Sequence, residues 1–313
     1  MTRWPFSTIE TAALRTADRL LTALLDDLSW RKGPAEDLAR FQARYARALR
    51  NILEGRVASL RSLALDRGVH QVTAQAERRL GPEFAEQAEP VIRRMLERVF
   101  RVGQAVRGVP RSVQVLFDRP RQEAVDWLVQ HDRFWLGKVF PTHVREAFRD
   151  TIVAGLEEGL GRKAIGSQLR DLLLGTEGVP GKVELYTRVA AASVNRAHNW
   201  GGLMALEAAG VERYVFRAVG DERTSAICRH LNGQVFPVAR TMAVVREALA
   251  GPPSAIATLA PWPTYDTQQD DFFIAVGDRR TPLKDKSPDW LADHGVALPP
   301  LHGHCRSVVV LAR

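Results

Sequence analysis

Two stretches of this 313-residue chain carry side chains suited to holding a metal ion. One is "DERTSAICRHL" at 221–231, with Cys228; the other is "PPLHGHCRSVVVL" at 299–311, with His302, His304 and Cys305. Cys228 and Cys305 are the chain's two cysteines, and with His302 they spell C-x73-H-x2-C. Thiolates and an imidazole are the ligands zinc takes in tetrahedral sites. His302 ranks above His304 as a ligand, because neighbours in an extended segment face opposite ways unless Gly303 bends the chain. A fourth ligand is open among His304, His230 and Asp221. The bland alternative is a pair of buried apolar cysteines beside surface histidines. A double C-x2-C is lacking, so the fold must close the long gap. Two cysteines do not make a disulfide scaffold.

Other catalytic patterns are weaker. "GTEGVPGKV" from Gly175 places Gly181-Lys182 one residue too far for a phosphate loop, with Val183 where Ser or Thr would bind magnesium. There is no H-E-x-x-H, and His143 with Glu146 reads as an exposed pair on one helix turn. The best enzyme reading is a metal-dependent hydrolase or nuclease, with metal held by Cys228, His302 and Cys305 and with Asp221 or Glu222 as base. Against it, Asp221 reads better as a helix N-cap, and cysteine-rich ligand sets mark closed structural sites.

The formal charge of +8 is uneven. Residues 91–122 hold Arg93, Arg94, Arg98, Arg101, Arg107, Arg111, Arg119 and Arg121 against Glu97 and Asp118. Such a stripe is a solvated helix face or a contact for DNA or an acidic partner, since clustered cations release counterions from phosphates. Arg93, Arg94, Arg98 and Arg101 are the candidate contacts. Aromatic residues are not interleaved for base stacking, and helix-turn-helix or zinc-finger spacing is lacking, so any DNA contact is expected to be non-specific. No apolar run reaches the roughly 20 residues of a membrane span. The N-terminus lacks a signal-peptide pattern, so the cytoplasm is the expected compartment.

Periodicity supplies the elements that must position these groups. Apolar stripes near a 3.6-residue period predict helices over 8–30, from Glu36 or Asp37 through Leu63, and from Gly81-Pro82 through Val99. A short strand is expected at 112–118. Helices resume, one capped by Thr142 after Pro141, one over 165–174, and a long one from Val183 to Gly210. Beyond Gly210 the texture changes: Tyr214 and Phe216 alternate with Val215 and Arg217, "NG" at 232–233 is a tight turn, and 234–238 and 306–311 read as strands. The segment 239–298 reads as an irregular insertion, with 272–276 as a strand that anchors it on its own domain. The fold class is α+β: a mainly helical N-terminal region, then a small α+β C-terminal module with a few short strands. The expected division is an arm over 1–133 and a domain over 134–313.

From about Phe134 onward the chain resembles the phage head-morphogenesis, or minor head protein, family typified by the phage Mu F protein. The residues that carry the likeness are "TRVAAASVNRAHNWGGLMALEAAGV", with its helical basic residue and Asn, then "DERTSAICRHLNGQVF" and "PPLHGHCRSVVVL". Ser307 stands where the family's closing "CRC" has a cysteine, Ser225 where a cysteine often precedes Cys228, and Val189-Ala190 where "TE" follows the helix Arg. These departures exclude a four-cysteine site and leave a mixed Cys/His site or none. The resemblance implies a non-enzymatic protein, present in a few copies in procapsid and virion and in the host cytoplasm during assembly. It implies as partners the portal protein, a scaffold or major capsid protein, and packaged DNA. It implies no membrane and no small-molecule substrate.

Overall fold

The computed structural model describes residues 34–60, 68–106, 108–109 and 122–312. The predicted helix over 8–30 and strand over 112–118 lie outside them, as do Arg107, Arg111, Arg119 and Arg121. The chain is α+β. Helices come first: α1 (Pro34–Leu60), α2 (Val69–Leu80), α3 (Pro82–Gln104), α4 (Gln122–Val139), α5 (Arg145–Glu157), α6 (Arg162–Leu174) and α7 (Val183–Ala208), with a two-residue hairpin of β1 (Gly175–Thr176) and β2 (Val179–Pro180) before α7. There follow β3 (Arg213–Arg217), α8 (Ala226–Leu231), β4 (Val235–Pro237), α9 (Val238–Ala250), α10 (Ile256–Leu259), β5 (Thr264–Asp266), β6 (Asp271–Val276), β7 (Arg279–Pro282), α11 (Pro288–Asp293) and β8 (Val308–Leu311). No helix among the described residues is long and apolar enough to cross a membrane.

The chain divides into two compact units. Among the described residues the first comprises 43–60, 68–92 and 132–190, and the second 34–42, 93–106, 108–109, 122–131 and 191–312. The first is helical. Its stripe residues Tyr45, Leu49, Leu53, Phe84, Ala88 and Ile92 are buried. Each buried phenol finds a partner, as a polar tip out of water requires. Tyr45 Oη donates to Asp132 Oδ2 at 2.7 Å, and Tyr186 Oη donates to the carbonyl of Leu80 at 2.7 Å. Burial, with the Asp132 carboxylate beside it, pushes the Tyr45 phenol well up. Arg56, also buried, donates to Gln87 Oε1 and to the carbonyls of Arg79 and Glu83. One local expectation fails here. Pro141 does not begin a new helix capped by Thr142; α4 runs into α5 through a π-helical turn, Phe140–Val144. A proline without an N–H is accommodated by widening that turn rather than by breaking the helix.

In the second unit β3 is the middle strand of an antiparallel sheet ordered β4-β3-β8, in which Tyr214 pairs with Phe236 and Leu311, and Phe216 with Val309. The predicted alternation holds: Tyr214 and Phe216 are buried, Arg213 and Arg217 exposed. Tyr214 Oη donates to the carbonyl of Ala297 at 2.9 Å. The 239–298 segment is ordered by its own elements. β5, β6 and β7 make a second antiparallel sheet, anchored by buried Phe273 and Ile274, with the Arg280 guanidinium 4.3 Å from the Phe273 ring centroid. Within this unit α3 and α7 meet backbone to backbone. A Cβ on Gly103 would lie 1.9 Å from the carbonyl oxygen of His198, and one on Gly201 2.3 Å from that of Phe100, so glycine is required at both crossings.

Candidate metal centre

The first ligand segment is α8. Its N-cap is Ser225, not Asp221: Ser225 Oγ accepts the backbone N–H of Cys228 at 3.4 Å. Asp221 instead closes the preceding turn, accepting Thr224 N–H on its carbonyl and the Thr224 hydroxyl on its carboxylate. The second ligand segment is the turn before β8, where Cys305 N–H donates to the carbonyl of His302 at 3.2 Å. That turn bends the chain, and it lets His302 and Cys305 face the same side.

Three carboxamides hold the second segment. Gln42 Nε2 donates to the carbonyl of Cys305 at 2.7 Å, and Asn195 Nδ2 to the carbonyls of Cys305 and Ser307 at 3.0 and 2.9 Å. Asn199 Nδ2 donates to the Ser307 carbonyl at 3.1 Å, and its Oδ1 accepts the N–H of Val309 at 2.8 Å. Buried amides satisfying buried carbonyls fix a loop that has no ladder of its own. Arg306 ties the two segments, donating from Nη1 and Nη2 to the two Asp221 oxygens at 2.8 and 2.6 Å. That fork holds the Asp221 carboxyl down to about 2.

The result brings Cys228, His302 and Cys305 together, their ligand atoms all within 4.8 Å of one another. Cys228 Sγ lies 3.4 Å from His302 Nε2 and 3.7 Å from Cys305 Sγ. With metal–sulfur bonds of about 2.3 Å and metal–nitrogen bonds of about 2.05 Å, a tetrahedron has S···S and S···N edges of roughly 3.8 and 3.5 Å. Those two edges match the separations found, so these three groups could hold a metal ion. Both cysteines are free thiols and buried, and His302 is half-buried. A hydrogen bond from Cys305, with His302 and Ser225 assisting, holds the Cys228 thiol low, while burial and the neighbouring Cys228 push the Cys305 thiol up. A cation between the sulfurs would displace their protons.

The remaining candidates fall elsewhere. His304 is exposed and, with Arg223, Thr224, Arg306 and Ser307, lines a small cleft that opens on Cys228 and His302. His230 is exposed, its ring 6.0 Å from that of Phe272. Glu222 is exposed, and so are His143 and Glu146. Sequence reasoning missed Ser225, whose hydroxyl is 3.0 Å from His302 Nε2, and the amide clamp. Asn195 and Asn199, four apart on an otherwise apolar helix face, were the available signal for that clamp.

Of the basic stripe, Arg93 pairs with Asp126, which Gln122 also contacts, and this pairing lowers the Asp126 carboxyl. Arg94, Arg98 and Arg101 lie on α3 at helical spacing; the first two are half-buried and Arg101 is exposed.

Among known proteins, residues 146–310, slightly more than half of the chain, match the family model described as Phage Mu protein F like protein. No curated protein and no solved structure matches the chain.

Proposed function

The chain belongs to the Phage Mu protein F like family, which points to a phage head morphogenesis protein, and from that premise we propose that it is a minor head protein acting in procapsid assembly at the portal. Its working part is taken as residues 134–313, with a helical arm over 1–133. The observation that carries this reading is the coincidence of family match and site: the matched residues contain Cys228, His302 and Cys305, the Asp221–Arg306 fork and the β4-β3-β8 sheet except the last residue of β8. The matched region is therefore the region that builds this module. Portal, scaffold and major capsid proteins are the partners this predicts, with non-specific contact to packaged DNA through Arg93, Arg94, Arg98 and Arg101.

The role of the centre in this reading is structural. Cys228, His302 and Cys305 would hold zinc, which adds folding free energy to a module with a small core. The hydrolase alternative needs Asp221 or Glu222 as a base; Asp221 is engaged on both oxygens by Arg306. Near-stoichiometric zinc in the purified protein is expected, with chelation loosening the second unit first. Metal-free protein indifferent to chelator would remove the metal from the proposal. Quantitative mass spectrometry of purified particles tests the head role: the chain should be present at a few copies per portal ring. Particles of full infectivity that lack it would refute the role.

A further inference from the structure

We propose that Cys228 and Cys305 are a redox pair, closing a reversible disulfide when a peroxide-class oxidant reaches the cleft, with Cys228 oxidised first and Cys305 resolving it. The two sulfurs stand 3.7 Å apart. A disulfide needs about 2.05 Å, so they must approach by roughly 1.7 Å. Both lie in short segments outside the strands, one on a helix of six residues and the other in the turn before β8.

The pair is asymmetric in a way that assigns the roles. Cys228, 2 % exposed, lines a small cleft together with His302, Arg223 and Arg306, whereas Cys305 is 0 % exposed and does not line it. His302 Nε2, 3.4 Å from Cys228 Sγ, is placed to hold a proton beside the reacting sulfur. In the first step the Cys228 thiolate attacks one peroxide oxygen and the O–O bond breaks. The departing hydroxide takes a proton and leaves as water, and Cys228 becomes a sulfenic acid. In the second step the Cys305 sulfur attacks Cys228 Sγ, the S–O bond breaks, and hydroxide leaves with the Cys305 proton as a second water. Two thiols and one hydrogen peroxide become one disulfide and two waters.

The disulfide needs no metal, so this proposal stands or falls apart from the zinc reading. Its meaning for a head protein rests on the family: a particle passes from reducing to oxidising surroundings when its host lyses. A module held by thiolates during assembly would then be held by a covalent bond.

The test uses the full chain, as purified and after chelator treatment, exposed to hydrogen peroxide at low molar excess. Expected are loss of both thiols, a mass decrease of about 2 Da, one linked peptide joining Cys228 to Cys305, and reversal by dithiothreitol. In Cys305→Ala, Cys228 should accumulate an adduct of about 16 Da that dimedone traps. In Cys228→Ala, Cys305 should react at least about tenfold more slowly, as its burial requires. Closure in protein that carried no metal supports this proposal while counting against the zinc reading. Thiols that survive in both preparations, cross-links between copies, or over-oxidation without the internal link would each overturn it, and these readouts on the unmodified chain do not depend on a variant folding.

Discussion

Replacing Asn195 with alanine tests whether the carboxamides of α7 hold the closing segment. Asn195 is fully buried and donates to the carbonyls of Cys305 and Ser307. The substitution strands neither carbonyl, because Gln42 still reaches Cys305 and Asn199 still reaches Ser307. The cost is therefore the two bonds it donates and the one its Oδ1 accepts from Asn199 Nδ2, at about 1 kcal/mol or less each, plus a small cavity, for about 2–4 kcal/mol in all. Hydrogen exchange on peptides spanning β8 is the assay, since it reads local opening. At 1.4 kcal/mol per decade, β8 amides should exchange roughly 30- to 700-fold faster. Asn195→Asp keeps the size but turns acceptors toward two carbonyl oxygens, so it should open β8 further than alanine does. Acceleration below about threefold in the alanine variant, or an aspartate no worse than alanine, would refute the clamp.

Three further outcomes are expected. Burial lowers the His198 imidazole to about 4, below its unfolded value of about 6.5, so the fold favours the neutral ring. Stability should be full above about pH 6.5 and fall by up to about 3 kcal/mol as pH drops to 4; His198→Asn should flatten that decline in acid-titrated urea unfolding. The Asp221 carboxyl, held at about 2 by Arg306, is depressed below its unfolded value of about 3.9, so its contribution is present above that pH and lost between about 4 and 2; Asp221→Asn should lose less stability over that window than the parent chain. Binding to mixed-sequence DNA, measured by anisotropy, should weaken steeply between about 50 and 200 mM salt. Alanine at Arg94, Arg98 and Arg101 together should reduce the log–log salt slope by about 2–3, and an unchanged slope would place the contact elsewhere.

The helices were legible because their apolar residues recur with the helical period; Tyr45, Leu49 and Leu53 are buried as that period requires. β3 was legible from the alternation around Tyr214 and Phe216. Pro141 misled because a π-helical turn absorbs the missing N–H, and sequence marks no difference between that and a break. Asp221 misled because aspartate serves an N-cap and a salt bridge equally well; Arg306, 85 positions away, decides between them. Within 239–298, β6 was legible, and α9 was missed although Thr241, Met242, Val245 and Ala248 recur at helical spacing; β5 and β7 were hidden, each supported by a neighbour rather than by its own pattern. For the site, residue types named Cys228, His302 and Cys305 but could not give their spacing, which depends on two segments meeting across the fold. Nor could they show that a hydroxyl, Ser225, would cap α8 and touch His302.

The amides at the outer side of β8 also bear on how copies of this chain meet one another. A strand of sequence VVVL at the margin of a small sheet is the kind of backbone tape that an adjacent molecule extends, and crowding inside a shell raises that hazard. Here the tape is terminated from within: Asn199 takes the Val309 N–H and the Ser307 carbonyl that a visiting strand would need. A helix side chain thus impersonates the next strand. A molecule approaching along this margin would meet side chains, which distinguish one partner from another, before it met main chain, which does not.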